Sequence, residues 1–375
     1  MHKWLSRAAA VPKTLFLELE TGSVNVLDPI QIIFASYPFQ KLFLFKDCYS
    51  LDFVVDDTYE YDKHDIVLPN QLLEHLEELN LDDTSVMFPH DAKLFNLRSL
   101  SIAPDCGNFR HYSTAIPWSQ IRHLMLSGIY INFHLLFSIL KQCLRLEYCK
   151  IKDLTPHHRT PAPFQNITLP NLQSFELSLF RQESETHIFG VECIQRLIIP
   201  SVNTLQLSLW NVDASVYSRF IEQSGGMPRL HALGLHEKGE PTDIGVLLKL
   251  LPHLESITVS RDLRSEIWHD LSMGRIGPSL KHITSPVSSV DAPLDFLKDR
   301  YHNAMRSTQQ HDGWVGQLQI THLQSATFLL SCDESKFRDM IRNALESNGR
   351  GPYQCLRWTS DGDSDRTYTL DDVED

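Results

Sequence analysis

Eighteen histidines and forty-seven carboxylates offer raw material for catalysis, but their spacing departs from each motif that would use them. A zinc hydrolase of the His-Glu-x-x-His type needs a second histidine one helical turn after the first; in His236-Glu237-Lys238-Gly239-Glu240 that place holds Glu240. The Gly-x-Ser-x-Gly elbow of acyl transfer and the glycine-rich phosphate loop are both absent from the sequence, so hydrolase and nucleotide chemistry have no support. Asp361-Gly362-Asp363-Ser364-Asp365 begins like a calcium loop, yet Arg366 replaces the sixth-position glycine and Asp372 the closing glutamate. A solvated acidic tail is the expected reading. His157-His158 lies in a loop with Pro156, Pro161 and Pro163 and is expected to be exposed, without a metal. The expectation is a protein without cofactor, metal or catalytic residues. Binding is different: Tyr148, Lys150 and Lys152 alternate along one segment, with His123 and Glu176 at neighbouring positions and Gln206 at an equivalent one. An aromatic ring beside charges on a rigid wall can anchor a peptide or protein.

Strands must carry those side chains, and the sequence repeats one phrase: apolar, two variable residues, apolar, one variable residue, apolar. It reads Leu76-x-x-Leu79-x-Leu81, Leu97-x-x-Leu100-x-Ile102, Ile121-x-x-Leu124-x-Leu126, Leu146-x-x-Cys149-x-Ile151 and Leu172-x-x-Phe175-x-Leu177. It continues as Val202-x-x-Leu205-x-Leu207, Leu230-x-x-Leu233-x-Leu235, Leu254-x-x-Ile257-x-Val259 and Leu280-x-x-Ile283-x-Ser285, with looser copies at Phe39-x-x-Leu42-x-Leu44 and Val315-x-x-Leu318-x-Ile320. Between the nine firm copies the middle residues are separated by 21, 24, 25, 26, 30, 28, 24 and 26 positions, in or just beyond the range of about 20 to 29 residues for leucine-rich repeats. Apolar residues alternate with small polar ones in Thr204-Leu-Gln-Leu-Ser and Ser256-Ile-Thr-Val-Ser, which predicts strands with one face buried and one wet.

The stretches between phrases have helical period. Phe133, Leu136, Phe137 and Leu140 share a face behind Asn132, and Asp213 stands as a cap ahead of Val216, Tyr217, Phe220 and Ile221. Further helices are predicted over 243–251, 265–271 and 293–301. The clearest helix, near the end of the sequence, carries the stripe Phe337, Met340, Ile341, Ala344, Leu345 between Ser331-x-x-Glu334 and Gly349. Strands and helices that alternate while only one strand face is apolar predict an α/β solenoid. It would be an irregular horseshoe or arc with the parallel sheet on its concave face and helices on its convex face.

Composition limits the partners. The formal net charge is −13, of which residues 359–375 hold −6. Neither the remaining chain nor its tail offers the basic face that phosphate binding needs, so nucleic acid is not expected. No polybasic anchor or apolar run of 18 residues is present, and membrane association is not expected either. Seven scattered cysteines without a CxxC pair read as reduced thiols of an intracellular protein, cytoplasmic or nuclear.

The phrase spacing, with Ile116-Pro117-Trp118-Ser119-Gln120-Ile121-Arg122-His123-Leu124 and Leu140-Lys141-Gln142-Cys143-Leu144-Arg145-Leu146-Glu147, resembles the repeat region of fungal F-box-like leucine-rich-repeat proteins. Trp4-Leu5-Ser6-Arg7 is similar to the segment that follows the F-box in those proteins. The resemblance implies a non-catalytic scaffold akin to the substrate-recognition region of a ubiquitin-ligase subunit, its protein substrate held on the concave face. In that family the F-box docks on a Skp-type adaptor. Here no F-box is recognisable, and Leu68-Pro69-Asn70-Gln71-Leu72-Leu73 runs straight into the Leu76 phrase, so adaptor docking is not expected of this chain. Two departures are Leu144 after Cys143, where proline is usual, and the lack of an asparagine three residues after the last apolar position. The expected layout is an N-terminal cap and incomplete repeat over 1–60, with a polar loop over 56–65, and the repeat array over 61–290. A C-terminal repeat and capping helix over 291–358 and a disordered acidic tail over 359–375 complete it. Ser285-Pro286 is expected to interrupt the ladder. An α/β enzyme on a closed barrel or doubly wound sheet, and a truncated gene model of an F-box protein, are the alternatives.

Overall fold

The computed structural model describes residues 13–20, 33, 39–47, 66–82, 86–89, 91–103, 115–128, 130–131, 133–152, 155–156, 165–179, 184–209, 212–236, 242–309, 320–330, 334–360 and 363–371. The protein is α/β, built on a large, mostly parallel sheet, and divides into two compact units, residues 1–189 and 190–375. His157-His158, the polar loop at 56–65, Asn132, Ser331 and the Val315 and Leu318 positions lie outside the described residues.

Seven strands of the main sheet fall in the first unit: β1 (Thr14–Glu20), β2 (Lys41–Asp47), β3 (Glu78–Asp82), β4 (Ser99–Ile102), β5 (His123–Ser127), β6 (Tyr148–Lys152) and β7 (Ser174–Ser178). Each pairs in parallel with the next in sequence. The register aligns the middle residues of the phrases: Leu15, Leu42, Leu79, Leu100, Leu124, Cys149 and Phe175 form one buried row. Strand starts are fixed by a repeated main-chain device. The Glu77 carbonyl accepts from the Arg98 and Ser99 amides at 2.8 and 3.1 Å, and Arg98, Arg122 and Glu147 do the same for the strand that follows each.

Side chains reinforce this spacing from an unexpected place. Asn96 Nδ2 donates to the Glu74 carbonyl at 2.7 Å, Gln120 Nε2 to that of Leu94 at 2.6 Å, and Asn171 Nδ2 to that of Leu144 at 2.9 Å. The bridging residue thus stands immediately before the first apolar position, where its donor satisfies a carbonyl of the turn one repeat back. Leu68 and Pro69 lead into the short helix α1 (Asn70–Leu73), which ends just ahead of β3. The ten-residue α2 (Phe133–Gln142) buries the expected Leu136, Phe137 and Leu140. Helix α3 (Ser184–Arg196) contains the boundary between the units.

The second unit carries β8 (Thr204–Ser208), β9 (Ala232–Leu235), β10 (Ser256–Val259), β11 (His282–Val287), β12 (Ser325–Leu330), β13 (Leu356–Ser360) and β14 (Asp363–Thr369). Strands β8 to β13 pair in parallel and in order, aligning Leu205, Leu233, Ile257, Ile283, Ala326 and Leu356. Its helices are α4 (Ala214–Gln223), α5 (Ile244–Leu250), α6 (Ser265–Ser272), α7 (Asp291–Gln309) and α8 (Glu334–Asn348). Asp213 caps α4 by accepting from the Ser215 amide at 2.7 Å, and Asp243 caps α5 through the Gly245 amide at 3.0 Å. The apolar helix faces meet the inward strand residues: Trp268 of α6 lies 5.0 Å from Phe296 of α7 and 5.9 Å from Phe328 of β12, and Phe337 of α8 lies 5.4 Å from Trp358 of β13, all between ring centroids.

Arg300 of α7 is buried and donates to four main-chain carbonyls, those of Leu271, Gly277, Pro278 and Leu280, at 2.8 to 3.1 Å. Burial lowers its pKa to about 10, which leaves it charged at neutral pH. The planar fork therefore ties the end of α6 to the turn that leads into β11.

Two expectations are corrected here. Ser285-Pro286 does not break the ladder: β11 pairs with β12 through Val287, whereas its pairing with β10 ends at Thr284, so the amide that Pro286 lacks has no partner to lose on that side. The buried Ser285 hydroxyl has two carbonyls within reach of its one proton, that of Pro286 at 2.9 Å and that of Arg261 at 3.3 Å. Two further copies follow the Leu280 phrase, Leu323-x-x-Ala326-x-Phe328 and Tyr353-x-x-Leu356-x-Trp358, the latter with all three residues buried. Lastly, the acidic segment 359–375 is not a disordered tail throughout, because residues 363–369 form β14, antiparallel to β13. Tyr368 and Leu370 are buried, and Tyr368 stacks on Trp358 at 5.8 Å, so alternation of apolar residues outweighs the surrounding acids.

Leu205→Ala or Leu233→Ala is expected to lower unfolding free energy by about 2–5 kcal/mol in urea titrations, and the outward Gln206→Ala by less than about 0.5 kcal/mol. Arg300→Leu is expected to cost more than about 3 kcal/mol, because four buried carbonyls lose their donor, and Arg300→Lys should not restore it.

Candidate functional site

Strands β5, β6 and β7 lie side by side, and alternation turns their apolar residues inward and the others outward. Parallel register sets His123 opposite Tyr148, Met125 opposite Lys150 and Lys150 opposite Glu176, with Ser127 and Ser178 flanking Lys152. Five of the six expected binding residues therefore share one patch in the first unit. Gln206 belongs to the second unit, exposed on β8, where its Cγ would lie 3.2 Å from a Cβ at Gly234. The glycine leaves room for that side chain.

Glu176 is the hub. Its two carboxylate oxygens take Lys150 Nζ at 2.9 Å and Lys152 Nζ at 3.3 Å. Glu176 and Lys150 are about four-fifths buried, at 19% and 23% side-chain exposure, so solvent screens this bridge less than it would a rim pair. The hydrogen bond that Lys150 donates to Glu176 holds its ammonium above its ordinary pKa against the opposing effect of desolvation. Tyr148 is also raised, first by burial and then by the Glu176 charge, so its phenol stays protonated at neutral pH. His123 tilts against Tyr148 with ring centroids 6.3 Å apart. One carboxylate between two ammoniums leaves the trio at +1, beside a phenol and an imidazole. Such a surface can accept an acidic group and stack against an apolar one.

Sequence reasoning missed a second outward group in the same unit. Phe16 of β1 stacks on Phe43 of β2 at 4.5 Å between centroids and 17° between planes, and Phe45 follows at 6.4 Å from Phe43. Leu15-Phe16-Leu17 and Leu42-Phe43-Leu44-Phe45 read as continuous apolar runs, which hides the alternation; the phrase position between the last two leucines was the signal that could have found them.

In the second unit, Lys281 Nζ reaches Glu255 at 2.6 Å and His282 Nδ1 lies 2.9 Å from Ser325 Oγ. The Lys281 hydrogen bond lowers the Glu255 carboxyl. Burial raises the Cys143 and Cys193 thiols to about 12 and Cys355 to about 11, so these three remain protonated at neutral pH and are poor nucleophiles. Among the described residues, no cluster of three or more His, Cys, Asp or Glu could hold a metal, and no helix is long and apolar enough to cross a membrane. No family model matches this chain, and none of the curated proteins matches it.

Glu176→Gln is expected to lower the Lys150 pKa, read from the lysine side-chain NMR signal during titration. A raised folded-state pKa adds stability below the ordinary lysine value of 10.5 and loses it as pH climbs through the folded value. The advantage of wild type over this variant should therefore persist at neutral pH and fade above that value. Alkylation of native protein at pH 7.5 is expected to spare Cys143 and Cys193, while denatured protein reacts at both.

Proposed function

We propose that this chain is a non-catalytic leucine-rich-repeat scaffold that holds a protein partner on its exposed strand face, as the substrate-recognition region of an F-box-type ubiquitin-ligase subunit does. The observation that carries the reading is the register of β5, β6 and β7: repeats 25 and 26 residues apart deliver Tyr148, Lys150, Lys152, Glu176 and His123 to one outward patch. A folded chain keeps an ion-paired, aromatic cluster on a rigid sheet at little entropy cost on binding, which favours recognition. Sequential strand order also supports a repeat solenoid. A doubly wound sheet reverses its strand order and binds at that switch point, whereas order here runs forward within each unit. The ubiquitin-ligase connection comes from the resemblance of Ile116–Glu147 to the fungal family and from nothing in the patch itself.

The test pairs photo-crosslinking with affinity capture in cells, using a photoreactive residue at Met125. The expected result is one crosslinked partner that is lost, by tenfold or more, in the triple variant Tyr148→Ala/Lys150→Ala/Lys152→Ala with unchanged far-UV circular dichroism. Equal crosslinking by wild type and variant would sink the assignment of this patch. Co-capture of a Skp-type adaptor, scored separately, decides the ligase connection.

A further inference from the structure

The aromatic group and the lysine group of the first unit stand on the same outward row. Register carries that row from Phe43 through Asn80, Ser101 and Met125 to Lys150. Phe16 beside Phe43 is 64% exposed, although other outward positions of this row are polar, charged or methionine. Stacked rings left open to solvent are a costly surface unless something covers them. At the row's other end Lys150 and Lys152 share the single carboxylate of Glu176, a local +1 within a chain of net charge −13. Two ammoniums offer six N–H donors, of which Glu176 engages one from each at 2.9 and 3.3 Å. The patch is thus built to take a second carboxylate, and it is too small and too weakly positive for a polyanion such as RNA.

The two ends are four strand steps apart, about 19 Å at the usual spacing of about 4.8 Å. An extended chain at about 3.3 Å per residue spans this in about six residues. Asn80 and Ser101 between them are short, and Met125, the one long side chain on the way, is unbranched and can lie aside, so a backbone can cross the sheet. We propose, building on the partner-binding reading above, that the occupant is an extended acidic peptide of the partner. It lays an apolar side chain against Phe16 and Phe43 and, about six residues away, a carboxylate at Lys150 and Lys152. The peptide supplies the charge that Glu176 leaves unmatched and covers the rings that solvent now meets.

Fluorescence anisotropy of the purified full chain tests this with labelled peptides of about twelve Gly and Ser residues carrying one Leu or Trp and one Asp-Glu pair. The separation is varied from about three to nine residues in both orders. Tightest binding is expected at a separation of about five to seven, with a tenfold or greater loss on converting the acids to amides. A similar loss is expected for Lys150→Glu/Lys152→Glu and for Phe16→Ser/Phe43→Ser, and on raising salt from about 50 to about 500 mM for the acid-dependent part. Lys150→Gln/Lys152→Gln serves should the charge reversal fail to fold. No binding, binding indifferent to the separation, or binding that survives loss of both lysines overturns the proposal. If the crosslinked partner of the preceding experiment is nonetheless lost in the triple variant, the scaffold reading stands and only the acidic-peptide reading falls.

Discussion

A parallel strand can hold its neighbour only where amides and carbonyls of the two meet at the same height along the sheet, and everything else in this protein follows from meeting that condition repeatedly. The Glu77, Arg98, Arg122 and Glu147 carbonyls each receive two amides from the strand that follows, so every repeat begins level with the last. Once the starts are level, equivalent positions lie side by side. The apolar rows close the core on one face, and on the other the outward residues of consecutive repeats are brought within touching distance although 24 to 26 residues separate them in the chain.

Level strand starts leave the connections free to vary. A single 3-10 turn at Trp118–Gln120 leads into β5, a ten-residue helix separates β5 from β6, and a 19-residue helix separates β11 from β12. The long connection is anchored by Arg300, whose guanidinium reaches back to carbonyls at the end of α6 and in the turn before β11 that would otherwise be buried without donors. Residue volume varies along the core rows in the same way: Ala326 aligns with Ile283 and Leu356, and the large rings of Trp268, Phe296 and Phe328 pack nearby. A rigid register and adaptable connections explain how uneven steps of 21 to 43 residues still give one ladder of strands in each unit.

The outward patch of β5, β6 and β7 owes its electrostatics to this geometry. Glu176 lies opposite Lys150 and adjacent to Lys152 only because β7 is in register with β6, and partial burial of all three makes the bridge firmer than a rim pair. The bridge in turn fixes the two ammoniums, so the positive charge stands at a defined point on the strand face, and Tyr148 keeps its phenolic proton beside it. Rigid placement of a small net charge favours selective contact with one complementary group over diffuse attraction.

The phrase of three apolar positions was enough to place most strands and the two buried rows, because a period of two residues is dictated by strand geometry and needs no knowledge of neighbours. Asp213 was legible as a cap for a similarly local reason. The five-residue patch could be assembled from the same spacing, since parallel register follows from equivalent phrase positions. What the sequence left open depended on contacts between distant segments. Nothing local marks Ala326 as the register partner of Ile283, shows that Pro286 lies beyond the pairing with β10, or lets Tyr368 outweigh its acidic neighbours by stacking on Trp358. The bridging amides of Asn96, Gln120 and Asn171 and the exposed stack of Phe16 on Phe43 belong to the same class. Periodicity determines which side of a strand a residue takes; only tertiary packing decides what it meets there, because that depends on residues dozens of positions away.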